Sequence, residues 1–231
     1  MPVKVKLRLL PGLSRALRAV AGGSTIPARP SQGAPNHQNG FDTSTQEPCL
    51  GVMRTEDQHA TEISAGWQEE LYQSLRRHDV TQISYVPDAG HRICIDRSLE
   101  DAGVHSVALT TEEEGVALAC GAHLGGKRAV LLMQSSGLGN CVNFLSMVKG
   151  GRFPFLTVLS MRGDFGEGNP WQIAMGQATR PVLAAMDIIV LEVTKPEDVR
   201  STIDAACDMV WKSGQAVAVL LTQKLIGAKA F

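Results

Sequence analysis

The chain has 231 residues, 44% of them hydrophobic, and its 22 basic and 23 acidic residues leave a net charge of −1. That length supports a full hydrophobic core, and the balanced charge gives no overall field that would draw the protein to nucleic acid or to an anionic membrane. No run approaches the roughly 18 apolar residues of a membrane span, and the five dispersed cysteines, without a CxxC pair, read as reduced core residues, so a cytoplasmic protein is expected.

Residues 1–60 read as an extension outside the fold. Lys4, Lys6, Arg8, Arg15, Arg18 and Arg29 precede the first acid, Asp42, and Gly, Pro, Ser, Gln and Asn dominate from 22 to 46. Such a composition buries too little to order itself. The acid-free, arginine-bearing start loosely resembles an organellar presequence, and Met53 offers an internal start. A disordered or spurious extension is the expectation, with the folded domain over 61–231.

From Ser64 onward, Trp67, Leu71 and Leu75 fall at helical spacing, and Arg76, Arg77 and His78 stand where a helix carboxyl end favours cations. Residues 80–86 (VTQISYV) form the first strand, stopped by the turn chemistry of Pro87, Asp88, Ala89 and Gly90. The alternation then repeats: helix 92–101, strand 104–109, helix 112–124, strand 128–134, helix 140–149 and strand 155–161. A long loop over 162–172 leads to helix 177–186 and strand 188–193. Thr194 can cap the next helix, Pro196 can take its first position and Glu197 can close a capping box. That helix runs to 212, and strand 216–222 completes the set. Strands separated by helices predict right-handed crossovers and a doubly wound α/β fold, with a mainly parallel six-stranded sheet and helices on both faces. Such sheets bind ligands at the carboxyl ends of their strands, so a site is expected among the loops starting at 87, 110, 135, 162 and 194.

Residues 121–128 (GAHLGGKR) match the phosphate-loop pattern except at Arg128, but they close a helix and enter a strand, the reverse of that loop's setting. Gly125 and Gly126 therefore read as a helix C-cap. Residues 135–140 (SSGLGN) follow a strand and open a helix, where backbone N–H groups can face a ligand. Val142 replaces the third glycine of a dinucleotide fingerprint, so no Rossmann cofactor is expected. Glu112, Glu113 and Glu114 suit a solvated helix start. The segment after them, GVALACGA, is small or apolar on every side, which predicts packing all round and at least one acid carried into an interface. None of the six histidines has ligand spacing, so no protein-bound zinc is expected.

A carboxylate just after a strand, Glu112, with Gly121 nine positions on in an alanine-rich helix, resembles the pyrimidine-binding domain of thiamine diphosphate enzymes. Gln134 through Asn140 with Asn143, then Arg162, Gly163, Asp164, Pro170, Gln172 and Gly176, together with Pro87 and Asp88, narrow this to the sulfopyruvate and phosphonopyruvate decarboxylases. The resemblance covers residues 65–225. It implies that Glu112 hydrogen-bonds N1′ of the cofactor's aminopyrimidine and so promotes loss of the thiazolium proton. Glu113 and Glu114 are then structural, although spacing leaves a shift of one residue open. The resemblance further implies that Ser136, Gly137, Leu138, Gly139 and Asn140 line thiamine diphosphate. Arg162, Gln134, Asn140 and His91 are candidates to hold the sulfonate or phosphonate of a small 2-oxo acid.

The implied reaction is loss of carbon dioxide from that acid, by a carbon–carbon lyase. The GDG sequence that holds magnesium and diphosphate in such enzymes is absent from this chain. The resemblance therefore implies an alpha-type subunit of a hetero-oligomer, with Mg2+ held by a separate diphosphate-binding beta subunit. Two other readings stay open, a non-catalytic homologue that keeps the fold and a free-standing nucleotide-binding protein.

Overall fold

A computed structural model of the protein describes residues 55–227. The expectations for residues 1–54, including Met53 and Cys49, lie outside the described residues, while residues 55–60, expected in the extension, belong to the first helix. The first helix, α1 (Thr55–Arg77), begins nine residues before Ser64, since nothing stops its amino end where the apolar spacing starts. It ends at Asp79, which takes a left-handed φ of 55°. Arg76 secures that end, donating to the Val80 carbonyl oxygen at 2.8 Å and to Asp101 at 2.9 Å.

The alternation follows as expected: β1 (Val80–Tyr85), α2 (Arg92–Glu100), β2 (His105–Ala108), α3 (Glu112–Leu124), β3 (Arg128–Gln134), α4 (Leu138–Gly151) and β4 (Phe155–Ser160). Then come α5 (Pro170–Ala185), β5 (Ile189–Val193), α6 (Val199–Trp211), β6 (Ala216–Leu221) and the short α7 (Gln223–Ile226). All six strands pair in parallel, in the order β2-β1-β3-β4-β6-β5. Central β3 and β4 are buried on both faces, as strands between two helical layers must be.

Side chains alternate between two cores. Val130, Leu132, Leu156, Val158, Val217 and Val219 face α1, α2 and α6, where Leu71, Leu75, Ile203 and Val210 are buried. Leu131, Met133, Leu159, Ala218 and Leu220 face the opposite layer, with Val116 and Cys120 of α3, Leu145 of α4 and Leu183 of α5. Cys94, Cys120, Cys141 and Cys207 are buried free thiols.

Three local readings are settled by the backbone. Gly125 and Gly126 do cap α3: Gly126 has a φ of +69°, and the Lys127 N–H returns to the Ala122 carbonyl oxygen at 2.8 Å. The expected cap at Thr194 does not form, because a 3-10 turn at Pro196–Asp198 precedes α6 and Lys195 stands at the cap without a side-chain bond. α5 starts at Pro170, seven residues before the expected 177, with the Asn169 side chain accepting from the Trp171 N–H at 3.1 Å. Its first turns carry exposed Trp171 and Ile173, so apolar spacing does not mark them, whereas Asn followed by Pro is a capping signal.

Candidate functional site

Loops at the carboxyl edges of β1, β3 and β4 converge. β3 ends at Gln134 and passes through the turn Ser135–Gly137 into α4. Buried Ser135 ties this edge to the end of β4, because its hydroxyl donates to the Arg162 carbonyl oxygen at 3.3 Å and accepts the Arg162 N–H at 3.0 Å. Gly137 faces the start of α3. A Cβ there would stand 2.5 Å from Cγ and Cδ of Glu112, so only glycine lets that side chain lie across the turn.

The three glutamates at the start of α3 are not equivalent. Glu114 reaches back to the Thr110 N–H at 3.1 Å, and Glu113 accepts from the Thr111 hydroxyl; both serve the helix end. Glu112 alone crosses to the neighbouring helix. Its Oε2 accepts from Asn140 Nδ2 at 2.8 Å, and it is half-buried. The rest of α3 is packed on one side only: Gly115 allows close approach to Leu131 and Leu109, while Leu118, Gly121 and Leu124 are exposed. The expectation of packing all round is therefore not met by this chain itself.

Beside this pair lies a pocket of about 140 Å³ lined by Gln68, Asp88, Gly90, Gln134, Ser160 and Arg162. It falls below the roughly 300 Å³ of ordinary small-molecule sites. The loop after β4 closes its far side. Arg162 forms a two-pronged pair with Glu167, Nε to Oε2 and Nη2 to Oε1 both at 2.7 Å, with side chains only 10% and 4% exposed. The Arg162 guanidinium and the N–H groups of Asn169 and Gly163 hold the Glu167 carboxyl well below the usual carboxylate range, against the opposing effect of burial. Gln223 fastens the same loop, accepting from Asp164 and Phe165 N–H and donating to Glu167 Oε2 at 3.0 Å. Gly163, at φ +69°, and Gly176 let the loop press on α5, since a Cβ on Gly176 would stand 2.7 Å from the Gly163 Cα.

The residues expected at the site separate into groups. Glu112, Gly137 and Asn140 come together, with Gly139 exposed next to them; Leu138 has a fully buried side chain and can offer only its backbone. Ser136 donates to Gln134 Oε1 at 3.0 Å. Gln134 and Arg162 share the pocket, while Asn140 sits with Glu112 instead. His91 does not reach the pocket surface: its ring is fully buried beneath the 89–91 turn, with Nε2 3.2 Å from the Met133 carbonyl oxygen, and burial holds its pKa below the usual histidine value. The bridging of Asp88, Ser160, Glu167 and Gln223 escapes sequence reasoning. Only Asp88, in turn chemistry after the first strand, carries a local signal.

A doubly wound α/β domain with a carboxylate–amide pair at the carboxyl edge of its sheet is thus the class that fold and site define. A similar fold occurs in 2-oxoglutarate:ferredoxin oxidoreductase from Magnetococcus marinus, solved with 2-oxoglutarate, coenzyme A and succinyl-CoA bound. The TM-score is 0.54 at 17% identity, over 69% of this chain and 29% of that one. No protein-family model matches the chain. The chain belongs to the sulfopyruvate decarboxylase alpha-subunit family. It is 34% identical to the sulfopyruvate decarboxylase subunit alpha of Methanococcus maripaludis over 154 residues, 66% of this chain and 92% of that protein. Identity to the same subunit of Methanothermobacter thermautotrophicus is also 34%, over 93% of that protein. The phosphonopyruvate decarboxylase of Streptomyces viridochromogenes is 32% identical over 140 residues, which are 60% of this chain and 35% of that protein.

Proposed function

We propose that this chain is the pyrimidine-binding, alpha-type subunit of a thiamine diphosphate-dependent decarboxylase that converts 3-sulfopyruvate to sulfoacetaldehyde and carbon dioxide. A separate diphosphate-binding beta subunit holds Mg2+ and completes the site. The observation that carries this reading is Glu112, held by Asn140 across Gly137 at the carboxyl edge of the sheet.

The residues present suit the cofactor's aminopyrimidine. Glu112 Oε2 is engaged by Asn140, whereas Oε1 takes no hydrogen bond among the described residues and is the atom to meet a ring nitrogen. Bound thiamine diphosphate supplies the electron sink that lets a 2-oxo acid lose carbon dioxide. Asn140 orients the carboxylate, Glu112 holds the proton at the pyrimidine nitrogen, and Gly137 leaves room for the two to stay in register.

The relatives support the sulfonate over the phosphonate, with 34% identity to sulfopyruvate decarboxylase alpha subunits and 32% to a phosphonopyruvate decarboxylase. The match spans nearly the whole of the sulfopyruvate decarboxylase alpha subunits but only about a third of a phosphonopyruvate decarboxylase. The pocket wall brings one guanidinium, Arg162, against the carboxylates of Asp88 and Glu167, so further positive charge for a dianionic substrate comes from the partner. A partner is also supported by the distribution of exposed apolar residues. Among the large ones of the described residues, all but Leu99 lie on α3, α4, α5 or the loop before α5: Leu118, Leu124, Val142, Met147, Phe165, Trp171 and Ile173.

The test is turnover by the complex with the beta subunit on 3-sulfopyruvate and 3-phosphonopyruvate, read as carbon dioxide release. Faster turnover of the sulfonate is expected, and release from neither acid overturns the reading. Glu112→Gln is expected to lower kcat by about 100-fold or more, because an amide cannot share charge with the ring nitrogen. Full activity in that variant would favour a non-catalytic role for Glu112.

A further inference from the structure

Asp88 starts the 89–91 turn, but capping engages only one of its oxygens. Oδ2 accepts from the Gly90 N–H at 3.0 Å and from the Ser160 hydroxyl at 2.5 Å. Gly90 is needed for that approach, since a Cβ there would lie 2.6 Å from Ser160 Cβ and 2.8 Å from Asp88 Oδ2. Oδ1 reaches instead to Gln134 Nε2 at 3.1 Å.

A carboxylate can only accept, so this bond decides which way the Gln134 amide faces. Its nitrogen points to Asp88 and its oxygen to Ser136, whose hydroxyl donates at 3.0 Å. Ser136 leads directly to Gly137, on which Glu112 rests, and to Asn140, which holds Glu112 Oε2. One carboxylate after β1 thus sets the hydrogen-bond direction of the turn after β3.

We propose that Asp88 is a positioning residue for Glu112: by accepting from Gln134 it locks the 134–137 turn that presents Gly137 and Asn140 to that carboxylate. The proposal rests on the proposed function in so far as Glu112 is the working group.

An exchange of chemistry between the two residues tests it. Asp88→Asn keeps the shape and an acceptor for the Gly90 N–H but turns an amide nitrogen toward Gln134, which must flip and leave the Ser136 hydroxyl without its acceptor. Adding Gln134→Glu restores the match, because the new carboxylate accepts from the new amide and again from Ser136. Gln134→Glu alone sets two carboxylates against each other. The side-chain amide signals of Asn140, followed by 15N–1H NMR in the full chain, report on the Glu112 pair without any turnover.

Asp88→Asn is expected to move those signals and, in the complex with the beta subunit, to lower kcat about 10- to 100-fold with KM changed less than about threefold. The double variant is expected to return the signals and recover at least about tenfold in kcat over Asp88→Asn. Gln134→Met cuts the link from its other end and should shift the signals likewise, so the result does not depend on Asp88→Asn folding. Ser160→Ala, which removes a different partner of Asp88, should leave them in place. Unmoved Asn140 signals in Asp88→Asn and Gln134→Met, an equal shift in Ser160→Ala, or no recovery in the double variant would overturn the proposal. A wild-type complex that decarboxylates neither acid overturns the proposed function instead, and the NMR comparison still decides the positioning.

Discussion

At the residue scale, the side chains around Glu112 turn three adjacent acids into one candidate. Glu113 and Glu114 spend their oxygens on the start of α3, and Glu112 is left facing Asn140 over Gly137. Gly137→Ala should therefore act through Glu112. We expect it to lower kcat about 100-fold with little loss of thermal stability, read by steady-state kinetics beside a melting curve. His91 should act on stability alone. Its imidazole is buried and stays neutral in the folded chain, while the unfolded chain takes up a proton near pH 6.5. Stability should thus fall as pH drops below that value, by up to about 1.4 kcal/mol per pH unit from this group. Denaturant titrations of His91→Gln should show a shallower slope between about pH 6.5 and pH 5.

At the element scale, the loop after β4 is a clasp rather than a flexible flap. Arg162, Glu167 and Gln223 bind each other, and Gly163 packs on Gly176 of α5. Glu167→Gln removes the two-pronged carboxylate partner of a buried guanidinium and should cost about 3 kcal/mol at pH 7. The Glu167 carboxyl is depressed in the fold, so its contribution is complete above its ordinary value of 4.5 and is lost as pH falls through the lower folded value. The wild type should therefore lose this stability progressively as pH falls below about 4.5, and the variant should lack that loss. Gly176→Ala forces a methyl against the Arg162 and Gly163 backbone and should cost about 1 to 3 kcal/mol, measurable by chemical denaturation. α5 shows why element edges are hard to read: its first turn is set by Asn169 and Pro170, while its apolar side chains face outward.

At the scale of the whole molecule, the two helical layers differ. The α1 and α6 layer is fenced by ion pairs such as Arg77 with Glu70 and Lys212 with Asp208, whereas α3, α4 and α5 expose bare apolar groups beside Glu112. Leu118→Glu is expected to weaken association with the beta subunit at least about tenfold without lowering the melting temperature of the chain, as read by titration of the two subunits. The order of strands and helices was legible from residues 80 to 222 because hydrophobic runs, turn residues and helix spacing are local properties. The helix cap at Gly125 and Gly126 was legible for the same reason, and the family resemblance singled out Glu112. The sequence by itself thus determined the fold class, and it pointed to the carboxyl edge of the sheet and to Glu112 as the candidates that the proposed function rests on. Only the tertiary structure decided that His91 is buried, that Arg162 is paired with Glu167 and that Asp88 grips Gln134. These depend on where side chains far apart in the chain come to rest, which no local spacing encodes.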